Sequence, residues 1–209
     1  TASNQNSFDN RFDLVHRLAV HPTTGDLYAG IVARLTYFNG ATWTTLIDAS
    51  AGTSSAILVD VAITATGRAY AAFSGNAGAQ RGVWASADWP PGWTQIGGNT
   101  SPFNIRTASG RVVLGLAPSN TDIVYALYYN DGTTSSPGEA DLFRWNQSAG
   151  TWTNFSSLIP DEPGGSAGND PFAIQGGYDL VVAVKPDNEN YVVIGGTNVY
   201  RNTNVNTNS

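Results

Sequence analysis

The chain has 209 residues, of which 41% are hydrophobic and 12% charged, and its formal net charge is −6. This apolar fraction suffices for a folded core, while the acidic balance argues against a nucleic-acid partner. The sequence contains no cysteine, which excludes disulfides and thiolate chemistry, and no stretch has the apolar length of a membrane span.

The same strand–turn–strand sequence pattern occurs four times along the chain. The copies are LAVHPTTGDLYAG (18–30), VAITATGRAYAA (61–72), LGLAPSNTDIVYAL (114–127) and VAVKPDNENYVVIG (182–195). A third apolar run follows each copy, and the first three units close with a fourth run that carries Trp43, Trp93 or Trp152. A period of about 40–60 residues with four strands per unit is typical of β-propeller blades.

We therefore predict an all-β chain in which residues 1–209 form a single propeller domain. It should contain about three full blades of four antiparallel strands and a partial fourth. The predicted units are approximately 11–50, 56–98, 110–159 and 177–209.

Alternation within the third strands predicts how the units pack. In RLTYFNG, Leu35 and Tyr37 fall on one face of the strand, and Thr36 and Phe38 fall on the other. Both faces are apolar, so each sheet needs a covering layer on both sides, which neighbouring blades supply.

The number of units predicts that further blades complete the ring. A closed propeller needs about 4–8 blades, and the fourth unit departs from the pattern in RNTNVNTNS. We expect the remaining blades to come from the same polypeptide or from neighbouring copies, and the lack of methionine favours a processed or excerpted chain. The alternative is a closed four-bladed ring in which residues 1–10 supply the missing strand.

The hairpin between the third and fourth strands carries a family resemblance. Unit two reads SADWPPGW (86–93), which resembles the Asp-box or BNR motif S-x-D-x-G-x-x-W, with its glycine placed directly before the tryptophan. Unit three keeps the glycine and tryptophan in NQSAGTW (146–152), and unit one keeps NGATW (39–43). The chain thus resembles sortilin-like and sialidase-like BNR-repeat propellers, which implies a secreted binding module or hydrolase. The composition, low in lysine and rich in Asn, Thr and Gly, favours a bacterial secreted or cell-surface protein.

The box residues are assigned a structural role. The short polar side chain accepts N–H bonds within its own turn, the glycine takes a positive φ, and the tryptophan packs between blades. The residues concerned are Ser86, Asp88, Gly92, Trp93, Gly150 and Trp152.

Loop lengths point to one side of the predicted disc. The turns between first and second strands are short, at Pro22–Asp26, Thr64–Arg68, Pro118–Asp122 and Pro186–Asn190. The second–third loops and the blade connectors hold all the long insertions, at Ser74–Gly82, Gly97–Gly110, Tyr129–Asp141 and Pro160–Gly177. These two groups lie on opposite sides of an up-and-down blade, which we call the short-turn face and the long-loop face. Long loops are often functional, so we expect ligands at the long-loop face.

Several side chains of that face have binding chemistry. Its candidate binding residues are Arg81, Phe103, Arg106, Tyr129, Asp131, Asp170 and Tyr178. Arginines suit a carboxylate, as in the arginine cluster of sialidases, and the aromatic rings suit sugars. Arg111 and Phe172 belong to the same two classes. A pair of acidic residues could act as acid and base on a glycoside, the candidates being Asp131, Glu139, Asp141, Asp161, Glu162 and Asp170.

No metal or cofactor is predicted. His16 and His21 are placed on opposite faces of one strand, and the acidic turn at Asp187–Asn190 lacks the spacing of a calcium loop.

Three functions are compatible with these features. The first is a non-catalytic extracellular propeller that binds protein or glycan through its long-loop face. The second is a fragment of a secreted glycoside hydrolase, either sialidase-like or resembling the two-propeller xyloglucan-cleaving enzymes. The third is a structural subunit of a surface layer or filament.

Overall fold

In the part of the chain that the structure describes, fifteen strands form four antiparallel sheets that follow one another along the sequence. The structure is a computed structural model, and it describes residues 14–50, 57–86, 92–98, 103, 110–130, 139–160, 172, 174 and 177–207. All fifteen strands lie within the four predicted units. Arg106, Asp131 and Asp170 lie outside the described residues, as do Asp88, Asp161 and Glu162.

Each sheet is an up-and-down blade in which neighbouring strands are consecutive in the sequence. Blade 1 contains β1 (Arg17–Val20), β2 (Leu27–Ile31), β3 (Arg34–Phe38) and β4 (Trp43–Asp48). Blade 2 contains β5 (Val59–Ile63), β6 (Ala69–Phe73), β7 (Gly82–Ser86) and β8 (Trp93–Gly97). Blade 3 contains β9 (Val112–Leu116), β10 (Ile123–Asn130), β11 (Glu139–Asn146) and β12 (Thr151–Asn154). Blade 4 contains β13 (Val181–Lys185), β14 (Asn188–Gly195) and β15 (Val199–Asn202).

Two short 3₁₀ segments, Gly75–Gln80 and Ser156–Leu158, follow β6 and β12. Among the described residues, no helix is long and apolar enough to cross a membrane.

The core lies between the blades, as the alternation predicts. Leu35 and Tyr37 pack in the cluster between blades 1 and 2, where Trp84 also packs. Val83 and Phe143 belong to the cluster between blades 2 and 3, and Leu142 faces blade 4. Blades 2 and 3 therefore contribute both of their faces to packing.

The first strands of the blades adjoin one another, β1 next to β5, β5 next to β9, and β9 next to β13. These four strands form the inner edge of the stack, and β4, β8 and β12 form its outer rim. Because every strand reverses direction, His16 immediately before β1 lies at the long-loop face and His21 after β1 lies at the short-turn face.

The outer faces of the two end blades expose apolar side chains. Val20 on β1 is 60% exposed and Val199 on β15 is 75% exposed. Leu18 and Val181 are also among the exposed large apolar residues.

Candidate functional site at the long-loop face

Asp60 on β5 joins three blades at the inner edge of the stack. Its Oδ1 lies 2.8 Å from Nε of Arg17 on blade 1, and its Oδ2 accepts a 2.8 Å hydrogen bond from the backbone N–H of Leu114 on blade 3. The residue is 3% exposed, whereas Arg17 is about half exposed. A buried carboxylate needs such partners, so Asp60 is held in place by both neighbouring blades.

His16 lies beside this group. Its Nδ1 accepts a 3.1 Å hydrogen bond from the backbone N–H of Val59. Burial lowers the pKa of His16, the Arg111 guanidinium lowers it further, and Asp60 opposes both effects. The imidazole is therefore stabilised in its neutral form.

Arg111, Tyr129 and Tyr178 meet where blades 3 and 4 reach the long-loop face. Nη1 of Arg111 is 3.4 Å from the carbonyl oxygen of Tyr178, and the N–H of Tyr129 donates to the Arg111 carbonyl oxygen at 3.1 Å. Gly177 has φ +91°, and a Cβ there would lie 3.1 Å from the Arg111 nitrogen and 3.3 Å from Tyr129 Cβ. A glycine thus permits the close approach that brings Arg111 and Tyr129 together.

Tyr178 is the most accessible aromatic of this group, with 81% of its surface exposed. The exposed Tyr178 ring offers an apolar face to a ligand, and the guanidinium bonded to the Tyr178 backbone offers hydrogen-bond donors nearby. The site can therefore bind a polar ring compound at the surface.

The other described residues that were predicted to bind a ligand lie outside the group formed by Arg111, Tyr129 and Tyr178. Arg81 follows the 3₁₀ segment of blade 2, and its Nη1 donates to the Gly78 carbonyl oxygen at 3.0 Å. Phe103 is fully buried, and its ring centre lies 4.5 Å from that of Trp152 and 4.8 Å from that of Phe143. This corrects the assignment of Phe103 to the ligand surface, because a buried ring packs the core and presents no face to a ligand. Phe172 is likewise fully buried.

The acidic candidate Asp141, on β11, accepts a 2.7 Å hydrogen bond from Nδ2 of Asn130. Glu139 begins β11. Among the described acidic residues, Asp60 is the buried one, and protein atoms bond both of its oxygens.

The described box residues have structural positions. The buried Ser86 accepts the Ala69 N–H at 2.9 Å through Oγ, and Gly150 has φ +64°. Trp93 packs edge-on against Tyr28 of blade 1, with ring centres 6.5 Å apart. Trp152 donates from Nε1 to the Ile96 carbonyl oxygen of blade 2 at 2.7 Å. Gly92 immediately precedes β8.

The two histidines do not meet. His21 accepts N–H bonds from Thr23 and Thr24 through Nδ1, and its ring lies over Gly67 of blade 2. Within the described part of the chain, no group of three or more His, Asp or Glu side chains is suitable for a metal ion.

The role of Asp60 in linking three blades was not predicted from the sequence. The available signal is a charged residue between two valines in the strand Val59–Ile63. A carboxylate in an otherwise apolar inner strand indicates that neighbouring segments supply its partners.

Comparison of the whole fold with known structures finds enzymes of similar fold, two of which are described here. Over 93% of this chain, it matches the GH74 enzyme of Niastella koreensis with a TM-score of 0.62 and 17% sequence identity. Over 91%, it matches the GH74 xyloglucanase of Xanthomonas campestris with a TM-score of 0.58 and 20% identity.

The chain corresponds to 30% and 29% of the lengths of those two proteins. No protein-family model and no curated protein sequence matches it. At this level of identity the likeness establishes the fold: four all-β sheets that match part of GH74 β-propeller structures.

Proposed function

We propose that the chain is a propeller segment of a secreted glycoside hydrolase acting on a xyloglucan-type polysaccharide, and that its long-loop face contributes to polysaccharide binding. The observation that carries this proposal is the structural match to two GH74 enzymes over more than nine-tenths of the chain. Of the three functions that are compatible with the sequence, the hydrolase fragment is the one that this structural match supports.

The site around Tyr178 fits such a role. A sugar ring can stack its C–H face on an exposed phenol ring and accept hydrogen bonds through its hydroxyl oxygens from Arg111. Arg111 is held near Tyr178 by its bond to the backbone carbonyl oxygen of that residue.

This segment is proposed to bind rather than to supply the complete acid–base pair. A general acid or base needs a carboxyl group that can reach the glycosidic oxygen or a water molecule. Asp60 is buried and bonded to two other blades, so it does not meet this need. The acid–base roles predicted for Asp131 and Asp170 stay predictions.

The end blades fit a place inside a larger ring. Their exposed apolar residues, among them Val20 and Val199, would be covered by further blades, from the same polypeptide or from neighbouring copies. Secretion is proposed on the same basis as the hydrolase function.

A non-catalytic binding module is the second candidate. It is favoured by the engagement of Asp60 and Asp141 with protein partners. Such a module would bind its ligand at the same long-loop face as the proposed hydrolase segment, but it would not take part in cleavage of the ligand.

Titration calorimetry of the chain with xyloglucan oligosaccharides tests both candidates, with dextran oligosaccharides as the control ligand. Tyr178→Ala should weaken xyloglucan binding about tenfold, which corresponds to about 1.4 kcal/mol. The control is Tyr191→Ala on β14 of the same blade.

Release of reducing ends from xyloglucan by the chain, assayed alone and joined to its flanking blades, separates the two candidates. Cleavage supports the hydrolase segment, and binding without cleavage in either form supports the module. Equal binding of dextran and xyloglucan, or no binding of either, would contradict the proposal.

A further inference from the structure

A second cleft lies on the outer rim, between blades 1 and 2. It has a volume of about 420 Å³, which is within the range of about 300–1,000 Å³ typical of small-molecule sites. Its lining residues come from β4, β7, β8 and the 3₁₀ segment of blade 2. They include Leu46, Ile47, Asp48, Gln80, Trp84 and Trp93.

An aromatic ring occupies the corresponding place between blades 2 and 3. There the connector between the blades contributes Phe103, which packs against Trp152 beside Gly97. Between blades 1 and 2, residues 49–58 contain no aromatic side chain. The cleft is thus a local departure from a packing arrangement that the same fold closes one blade further on.

Two indole rings form the apolar part of the cleft. Trp84 is anchored by a 2.9 Å hydrogen bond from its Nε1 to the Gln80 carbonyl oxygen. Trp93 is positioned by its edge contact with the buried Tyr28. Both rings are only partly buried, so they offer a fixed aromatic surface to a ligand at low entropic cost.

Polar groups line the cleft beside these rings. Oδ2 of Asp48 lies 3.1 Å from Nε of Arg34, and Oδ1 accepts the Ser50 N–H at 2.8 Å. Burial alone would raise the pKa of Asp48, but the hydrogen bonds from Ser50 and the Arg34 guanidinium outweigh it and hold the pKa below its usual value. The carboxylate is therefore ionised, and its charge is compensated by Arg34.

Gln80 adds an amide to the cleft. Its backbone oxygen is used by Trp84, and within the described residues its side-chain amide makes no hydrogen bond. An amide has both a donor and an acceptor, which suits a hydroxyl group.

We propose that this rim cleft binds a neutral pyranose residue of a glycan, at a site separate from the long-loop site around Tyr178. The sugar would stack on the indole surface, and its hydroxyl groups would bond to Asp48 and Gln80. The charge balance favours a neutral ligand: an aromatic cage for a cation needs an uncompensated negative charge or several rings around the ligand, and Asp48 is already paired.

This inference does not depend on hydrolysis. It concerns the outer rim, whereas the proposed polysaccharide contact of the hydrolase involves Tyr178. A rim site would hold the glycan chain at a second point and increase overall binding through effective concentration.

Fluorine NMR of the chain labelled with 5-fluorotryptophan tests the proposal. The chain has six tryptophans, and single Trp→Phe variants assign their signals. The probes are methyl β-glucoside, cellotetraose and choline chloride, each titrated to about 50 mM so that dissociation constants in the millimolar range are measurable. We expect cellotetraose to shift the Trp84 and Trp93 signals and to leave Trp43, on the opposite side of blade 1, unchanged.

Two surface variants supply the second readout. Asp48→Ala and Gln80→Ala should each weaken cellotetraose binding at the cleft at least fivefold. The matched control is Asp187→Ala, which removes another exposed, ion-paired aspartate, bonded to Lys185 on blade 4. Tyr178→Ala should leave the Trp84 and Trp93 shifts intact, which keeps this result distinct from that of the proposed hydrolase function.

Three outcomes would overturn the inference. In the first, neither sugar shifts the Trp84 and Trp93 signals. In the second, choline shifts these signals and the sugars do not. In the third, both Asp48→Ala and Gln80→Ala bind cellotetraose at the cleft with the affinity of the wild type.

Discussion

The boundary between blades 1 and 2 and the boundary between blades 2 and 3 use the same strand positions but are packed differently. Ile47 on β4 and Gly97 on β8 occupy equivalent places, because they pair with Leu35 and Val83 of their respective third strands. A Cβ on Gly97 would lie 2.7 Å from the ring of Phe103. The missing side chain at this position is what admits the aromatic ring.

The tryptophans that open the fourth strands show the same contrast. Nε1 of Trp152 donates across the boundary to the Ile96 carbonyl oxygen, whereas Nε1 of Trp93 is buried and has no partner among the described residues. At one boundary an aromatic ring fills the space and the indole donor is bonded, whereas the other keeps a cleft and an unsatisfied indole donor. Two boundaries of one repeat fold thus differ through a few side chains.

Removing the ring that fills the second boundary should have the largest effect. Phe103→Ala takes out a fully buried ring, and such truncations cost about 3–5 kcal/mol of unfolding free energy. Urea denaturation followed by circular dichroism measures the loss. The control is Phe38→Ala, a partly buried phenylalanine on blade 1, which should cost less; a loss at Phe103 no larger than at Phe38 would contradict the packing described here.

Asp60 acts on both boundaries at once, so its removal should have the second largest effect. Asp60→Asn removes the ion pair with Arg17 and weakens the bond from the Leu114 N–H. Hydrogen bonds to charged groups contribute about 1.5–3 kcal/mol each, and we expect a loss of that size in urea denaturation. Asp187→Asn on the exposed turn of blade 4 is the control, and equal losses in the two variants would refute the three-blade linkage.

A pair of conservative substitutions separates the two boundaries directly. Trp152→Phe and Trp93→Phe remove similar volumes, but only Trp152 loses a hydrogen bond. Trp152→Phe should therefore cost about 1 kcal/mol more than Trp93→Phe. Equal unfolding free energies for the two variants would show that the boundaries do not differ in bonding.

Much of the fold could be predicted because each repeat is specified by residues that are close together in the sequence. The positions of Trp93 and Trp152 at the starts of fourth strands, and the apolar residues on both faces of β3, follow from spacing and alternation. Each of these signals lies within one unit, where strand period and turn chemistry determine the structure.

The site could be predicted less well because it depends on contacts between units. Asp60 meets Arg17 and Leu114, which are 43 and 54 residues away in the sequence, and no local pattern specifies that meeting. Phe103 was assigned to the ligand surface because it lies in a long connector, yet Gly97 of the preceding strand gives its ring a buried place. A comparison of Ile47 with Gly97 at equivalent positions was the signal that could have corrected this.

The smallest expected effect concerns His16, which lies where blades 1 and 2 meet at the long-loop face. Burial and the Arg111 guanidinium lower its folded-state pKa below the ordinary value of 6.5. The unfolded chain therefore binds a proton at higher pH than the folded chain does, and the stability contributed by neutral His16 is lost as the pH falls below 6.5 toward the folded-state pKa. His16→Asn keeps a hydrogen-bond acceptor but cannot titrate, so its unfolding free energy should fall less steeply than that of the wild type over this range. Parallel pH profiles for the two proteins, measured by urea denaturation, would contradict this assignment and would place the acid sensitivity of this boundary in other groups.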